Sequence, residues 1–313
     1  MNRTAATQRQ PEPVDDIAST RPGQIVVGVD GSAASEPAVR WASETAAQRH
    51  RALRIVHGYN LHAARAVRRV HDAVKPPVVD TIRRRGAEIL AAAREQALGI
   101  DPSLPVETEL SEEGAARRLI DLSATADLTV LGASGHGSTL THLGSTLLAV
   151  VAHGHGRVVV ACCATPGRPA HRHGPIVVGL DGSRCSEAAA AAAFAEADAR
   201  GAPLIAIHTW HDLRAHWFAG MPDMIEDPPI AEAADARLRT WLADWTEKYP
   251  GVRVTRRTYL AGPDLHLIQW SESAQLIVVG SRGRGGFRGL LLGSKSNIVV
   301  QRAHCPVLVA HAT

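Results

Sequence analysis

The feature that most restricts how this chain can fold is an internal repeat. Ile25 to Ser32 reads IVVGVDGS and Ile176 to Ser183 reads IVVGLDGS, one difference in eight at a spacing of 151 residues. Farther on, Gly132 of GASGHG is answered by Gly280 of GSRGRG at a spacing of 148, so the copies differ by a net three residues between those landmarks. A tandem duplication follows, and 313 residues suit two ordinary domains. The segment Ala164 to Gly174, ATPGRPAHRHG, is rich in proline, glycine and basic side chains and reads as a linker. It divides a first domain, 24–163, from a second, 175–313, after a polar tail over residues 1–23 that is expected to be flexible.

Each copy repeats the same local grammar. Gln24 to Asp30 is a short apolar run of the kind a buried parallel strand shows, and Gly31-Ser32 follows as a turn. Ser35-Glu36-Pro37 then predicts a helix to about His50, with Ser35 as its N-cap. Strands are expected over Leu53–Gly58, Val106–Leu110, Leu128–Leu131 and Val158–Ala161, with helices from Pro76 to about Leu98, from Glu113 to about Ala124 and before the last strand. Copy two follows suit: a helix from about Cys185 to Arg200, and strands over Leu204–Thr209, Val252–Tyr259, Leu276–Val279 and Val307–Ala310. Strands alternating with helices mean parallel pairing with helices on both faces, an α/β fold of two tandem open sheets.

The chemistry gathers where strands end. In an open parallel sheet a ligand sits at the carboxyl ends of strands beside the point where strand order reverses. With the order 3-2-1-4-5 that point lies between strands one and four. Asp30 and Asp181 follow strand one, each two residues after a glycine, Gly28 and Gly179, that would let a base or ribose approach the backbone. A glycine loop follows strand four: in copy two Gly280, Ser281, Arg282, Gly283, Arg284 and Gly285, closing at Gly293, Ser294, Lys295 and Ser296, with Arg288 between. Glycines let backbone N–H groups approach an anion, and the helix start beyond adds unsatisfied donors. An acidic acceptor facing an anion cradle suits a nucleotide. Neither GxxxxGK[ST] nor a GxGxxG after strand one is satisfied.

With those residues in view, the chain resembles the universal stress protein family in its tandem form, from Gln24 to the C-terminus. The family's ATP-binding members carry G-x2-G-x9-G-[ST], and copy two matches it with Gly280, Gly283, Gly293 and Ser294. The resemblance implies a 3-2-1-4-5 parallel sheet in each copy, pairing of the units through their last strands, Asp181 on the nucleoside and the loop on the phosphates. ATP, with or without magnesium, is the implied ligand. A cytoplasmic, nucleotide-dependent stress or signalling regulator, a homodimer and a further protein partner are expected.

Copy one departs from the pattern. Gly132, Ala133, Ser134, Gly135, His136, Gly144 and Ser145 hold the corresponding places, but eight rather than nine residues separate Gly135 from Gly144. Arg282, Arg284 and Lys295 are answered by Ser134, His136 and Thr146. Each lost charged phosphate donor weakens binding by roughly 1.5–3 kcal/mol, so copy two is expected to bind ATP more tightly.

Other readings carry less. A net charge of +3 gives no ground for nucleic acid or a membrane surface, and no apolar run reaches a membrane-spanning length. The four cysteines form no framework, and reduced thiols are expected. The histidine pairs His153/His155 and His171/His173 lack a third ligand, so no metal site is expected. His136 and His142 read as exposed loop histidines. Trp241 and Trp245 are expected to pack a helix onto the sheet or the other copy; Trp210, Trp217, Phe218, Met221 and Met224 line the loop after strand two, beside the expected base site, as candidates for a lid or an interface. No catalytic constellation is evident; the alternatives are a slow ATPase or self-phosphorylating protein, with Ser294 or Ser296 as acceptor, and a nucleotide-free scaffold, copy one especially.

Overall fold

A computed structural model describes residues 23–59, 76–133, 144–162, 173–210, 228–284 and 292–312. Most of the expected tail and linker lies outside them. Copy one runs β1 (Ile25–Gly28), α1 (Ser35–Gln48), β2 (Leu53–Gly58), α2 (Pro76–Ile100), β3 (Val106–Ser111), α3 (Ala115–Ser123), β4 (Leu128–Ala133), α4 (Ser145–His153) and β5 (Arg157–Cys162). Copy two repeats it as β6 (Ile176–Gly179), α5 (Arg184–Arg200), β7 (Leu204–Thr209), α6 (Pro228–Lys248), β8 (Val254–Tyr259), α7 (Pro263–Ser271), β9 (Leu276–Gly280), α8 (Ser294–Arg302) and β10 (Val307–Ala310).

The strands form one ten-stranded sheet in the order β3-β2-β1-β4-β5-β10-β9-β6-β7-β8. Each half is the 3-2-1-4-5 arrangement, and every pairing is parallel except β5 with β10. Those last strands run antiparallel, Val307 opposite Val160 and Ala310 opposite Arg157. The units are therefore joined by a continuous sheet within one chain.

The central strands are apolar on both sides because both sides are covered. Ile25 and Val27 face one helical layer with α1, α2, α5 and α6; Val26 faces the other with α3, α4, α7 and α8. Each cluster contains residues of both copies, so two cores run the length of the sheet. The outer strand β8 alternates between half-buried and exposed residues over its first half, as an edge strand must.

The seam also carries a buried ion network. Arg49, at the C-terminal end of α1, reaches Asp127 at 2.9 Å and Glu196 of α5 at 2.5 Å; Arg157 also pairs with Asp127, and Arg200 with Glu196. The Glu196 side chain has no exposed surface. Gln48 Nε2 donates to Ala199 O at 2.7 Å, and the Arg200 guanidinium lies over the Trp41 ring.

One local expectation is corrected. Ala34, not Ser35, occupies the N-cap position of α1, with no side-chain capping bond. Ser35 Oγ is committed elsewhere: it donates to Asp30 Oδ1 at 2.7 Å and accepts from Asp30 N at 3.0 Å. In copy two the cap is Ser183, whose Oγ accepts from Ser186 N.

Candidate functional site

At the junction of β6 and β9 the structure opens a cleft of about 530 Å³. Asp181, Gly280, Arg282, Gly283, Arg284, Gly293, Ser294, Lys295 and Ser296 all line it, so residues about a hundred apart in sequence meet there. Ser281 sits just behind, 3% exposed, its N–H donating to Ala310 O and its carbonyl accepting from Gly293 N at 2.9 Å. That last bond closes the neck of the loop and sets Gly293 as the N-cap of α8, whose first turn faces the cleft. Gly285 and Arg288 lie outside the described residues.

Asp181 is the hinge of the arrangement. Its Oδ1 accepts from Ser183 N at 2.9 Å, and its Oδ2 accepts from Arg284 N at 2.8 Å, across 103 residues. Gly283 permits this approach: a Cβ there would stand 2.5 Å from Asp181 Oδ2. Gly280 works similarly on the other wall, where a Cβ would meet the Cys185 backbone at 2.8 Å. Ser186 Oγ accepts from Asp181 N and Gly182 N, fixing the turn whose Gly182 has φ +76° over the Trp241 ring.

Gly179 lines the cleft, but the space beside it is already taken. A Cβ would lie 3.0 Å from Leu267 Cδ1, and at Gly28 the same construction meets Leu119 Cδ1 at 2.7 Å. Both glycines therefore seat a leucine of the following helical layer against strand one, where the sequence suggested room for a base or ribose.

The cleft is cationic. Arg237, Arg282 and Arg284 line it, and among the described residues none of the three makes an ion pair; Lys295 is held by Asp264 at 3.0 Å. Two of the arginines stack on indoles, Arg237 5.0 Å from the Trp210 ring centroid and Arg284 5.4 Å from that of Trp241. Trp241 thus packs between core and cleft, and Trp245 packs on the same core beneath Lys248. Trp217, Phe218, Met221 and Met224 lie outside the described residues. Of the two hydroxyls weighed as phosphoryl acceptors, Ser294 is exposed, whereas Ser296 is buried and donates to Gly280 O at 2.7 Å.

His208 escaped the sequence reading. It is the last but one residue of β7 and lines the cleft, 5% exposed, with Nδ1 2.9 Å from Leu180 O and its ring edge-on to Trp241. A carbonyl only accepts, so Nδ1 carries the proton and the buried Nε2, which has no partner among the described residues, carries the lone pair. Burial foremost, reinforced by Arg237 and Arg284, holds this imidazole below its ordinary pKa and keeps it neutral. His57 occupies the same place in copy one, its Nδ1 2.8 Å from Val29 O. The signal was available: the two histidines are 151 residues apart, in register with the repeat.

Copy one keeps the strand-one carboxylate and loses several polar contacts around the loop. Asp30 Oδ1 takes bonds from Ser32 N, Ser32 Oγ and Ser35 Oγ; burial alone would raise this carboxyl, but those bonds outweigh it and hold it below the ordinary value. Gly132 is packed against α1, where a Cβ would stand 1.9 Å from Ala34 O. Gly144 is the N-cap of α4, and Ser145, its first residue, is exposed. Copy two's Cys185–Ser281 contact becomes Ala34 with buried Ala133, its Lys295–Asp264 pair becomes Thr146 with Ala116, and Ser296 becomes Leu147. Ser134, Gly135, His136 and His142 lie outside the described residues.

Comparison with known proteins adds the lineage. The profile of the universal stress protein family matches residues 23–161 and 173–311. The chain is 37% identical over 297 residues to universal stress protein Rv2005c of Mycobacterium tuberculosis, covering 91% of this chain and 96% of that protein. It is 38% identical over 301 residues to a universal stress protein of Mycolicibacterium smegmatis, covering 91% and 96%. Among solved structures, a universal stress protein from Archaeoglobus fulgidus superposes with a TM-score of 0.68 at 17% identity, over 94% of this chain and all of that one. The protein PA1789 of Pseudomonas aeruginosa, described as functionally unknown, superposes at 0.55 and 16%, over 94% of each chain. Matched in both halves and related along most of its length, the chain belongs to the universal stress protein family, in its tandem two-domain form.

Proposed function

We propose that the chain is a nucleotide-binding regulator, and that the cleft of copy two is its ATP site. One observation carries the reading: the strand-one carboxylate, the glycine loop, the N-terminus of α8 and three arginines that make no ion pair among the described residues border a single cavity. Its volume of about 530 Å³ falls within the range of small-molecule sites, roughly 300–1,000 Å³. The donors point to an anion with several negatively charged oxygens, and the acceptor side to a hydroxyl-bearing remainder. ATP satisfies both.

Copy one is proposed as the weaker site, because Cys185, Ser281, Asp264 and Ser296 around the loop of copy two have apolar counterparts there and Lys295 an uncharged one. The regulator acts through occupancy, in the cytoplasm, with a protein partner that reads the loaded state. A homodimer, if it assembles, uses a surface other than the last strands, since β5 and β10 are paired with each other.

The test is mass spectrometry of small molecules released when the freshly purified protein is denatured, followed by calorimetric titration of the emptied protein with ATP. An adenine nucleotide in the released fraction and a saturable titration are expected. Recovery of no nucleotide together with no heat on adding ATP would reject the proposal.

A further inference from the structure

We infer that the copy-two cleft takes its nucleotide as the metal-free anion, with guanidinium groups standing where other polyphosphate sites place a divalent cation; this rests on the reading of the cleft as a nucleotide site. Magnesium is normally held between substrate phosphates and one or two protein carboxylates in near-octahedral geometry. The side chains here do not fit that role. Each oxygen of Asp181 already accepts a backbone N–H, from Ser183 and from Arg284. Asp264 is spent on Lys295. From Gly280 to Arg302 the sequence contains no carboxylate and five cations, Arg282, Arg284, Arg288, Lys295 and Arg302. Among the described residues no three Asp, Glu, His or Cys side chains converge as a metal-ligand group.

The remaining lone pairs of Asp181 do not rescue a metal. A cation bound there would sit beside Arg284, a cavity residue whose own N–H holds the carboxylate and whose guanidinium lies over Trp241 next to Gly182 of the same turn. Arginine is permanently charged and offers a planar fork of donors matched to phosphate oxygens. Arg237, Arg282 and Arg284 therefore compete with magnesium for the oxygens magnesium would chelate. Because binding couplings are reciprocal, a cleft that weakens magnesium's hold on the nucleotide must itself hold the magnesium complex more weakly than the free anion.

The experiment is calorimetric titration of the full chain with ATP at matched ionic strength, once with excess EDTA and once with excess magnesium chloride. The affinity is expected to be roughly fivefold or more higher in EDTA. The double variant Arg282→Gln/Arg284→Gln should bind less tightly and lose most of the difference between the two buffers. Equal or tighter binding with magnesium would overturn the inference while leaving the nucleotide site standing. A difference of the same size in the double variant would overturn it as well, because the arginines would not be its source. No binding in either buffer would remove the inference together with the proposed function.

Discussion

Replacing Gly283 by alanine probes the contact on which the site is built. The backbone there is not in the left-handed region, so the added methyl group acts through space rather than through φ. It would stand 2.5 Å from Asp181 Oδ2, where ordinary contact begins at 3.4 Å. Relief requires the loop and the Asp181 carboxylate to part by about 0.9 Å, whichever of the two moves, and a loop withdrawal of that size stretches the 2.8 Å bond from Arg284 N to Asp181 Oδ2 past the range of a hydrogen bond. The bond is made within the protein, so its worth of about 1.5–3 kcal/mol reaches the nucleotide only as the cost of re-forming it on binding, which sets an upper limit of roughly 10- to 150-fold on the loss of ATP affinity. Calorimetric titration measures that change, with the melting temperature as the control for folding. The loop follows β9 at the surface, so the melting temperature should hardly move. Undiminished affinity would refute the reasoning, and so would a loss of affinity matched by a general loss of stability.

Two further predictions concern the seam between the copies. Arg49→Met leaves the buried Glu196 carboxylate with Arg200 alone, and chemical denaturation should register a loss of roughly 2–4 kcal/mol, the lower part of the range reflecting the arginine that remains. His311, just past β10, has a buried Nε2 without a partner among the described residues; burial, then His155 and Arg282, lower its pKa from 6.5 to about 4. The unfolded chain binds the extra proton in that interval, so stability contributed by neutral His311 is full above about pH 6.5 and is lost as pH falls toward about 4. Melting temperatures of the wild type should decline across that window more steeply than those of His311→Gln, and parallel curves would discount the histidine.

Much of the fold was legible because it depends on local pattern and on repetition. The bounds of β2 at Leu53–Gly58, β7 at Leu204–Thr209 and β10 at Val307–Ala310 coincide with the apolar runs that announced them. The repeat aligned Asp30 with Asp181 and one glycine loop with the other, and the structure brings the copy-two pair into one cleft. Illegible were contacts between elements that share no period. Nothing local says that Asp264 on α7 neutralises Lys295 on α8, that Trp241 on α6 lies over Gly182, or that the oxygens of Asp181 are taken by the protein's own backbone. Comparing the copies with each other could have flagged some of them. Lys295 and Asp264 are replaced together by Thr146 and Ala116, and Cys185 and Ser281 together by Ala34 and Ala133, paired losses of the kind expected from side chains that touch. Ser35 misled for the opposite reason: a serine at a helix start fits the capping pattern, but a carboxylate five residues back competes for its hydroxyl.

The central claim is the inequality of the two copies, and titration of ATP into Asp30→Ala and Asp181→Ala beside the wild type tests it most directly. Asp181→Ala should abolish the tighter binding event, while Asp30→Ala should leave it at wild-type affinity. Two sites of equal affinity in the wild type, or loss of the tight event in Asp30→Ala alone, would contradict the account.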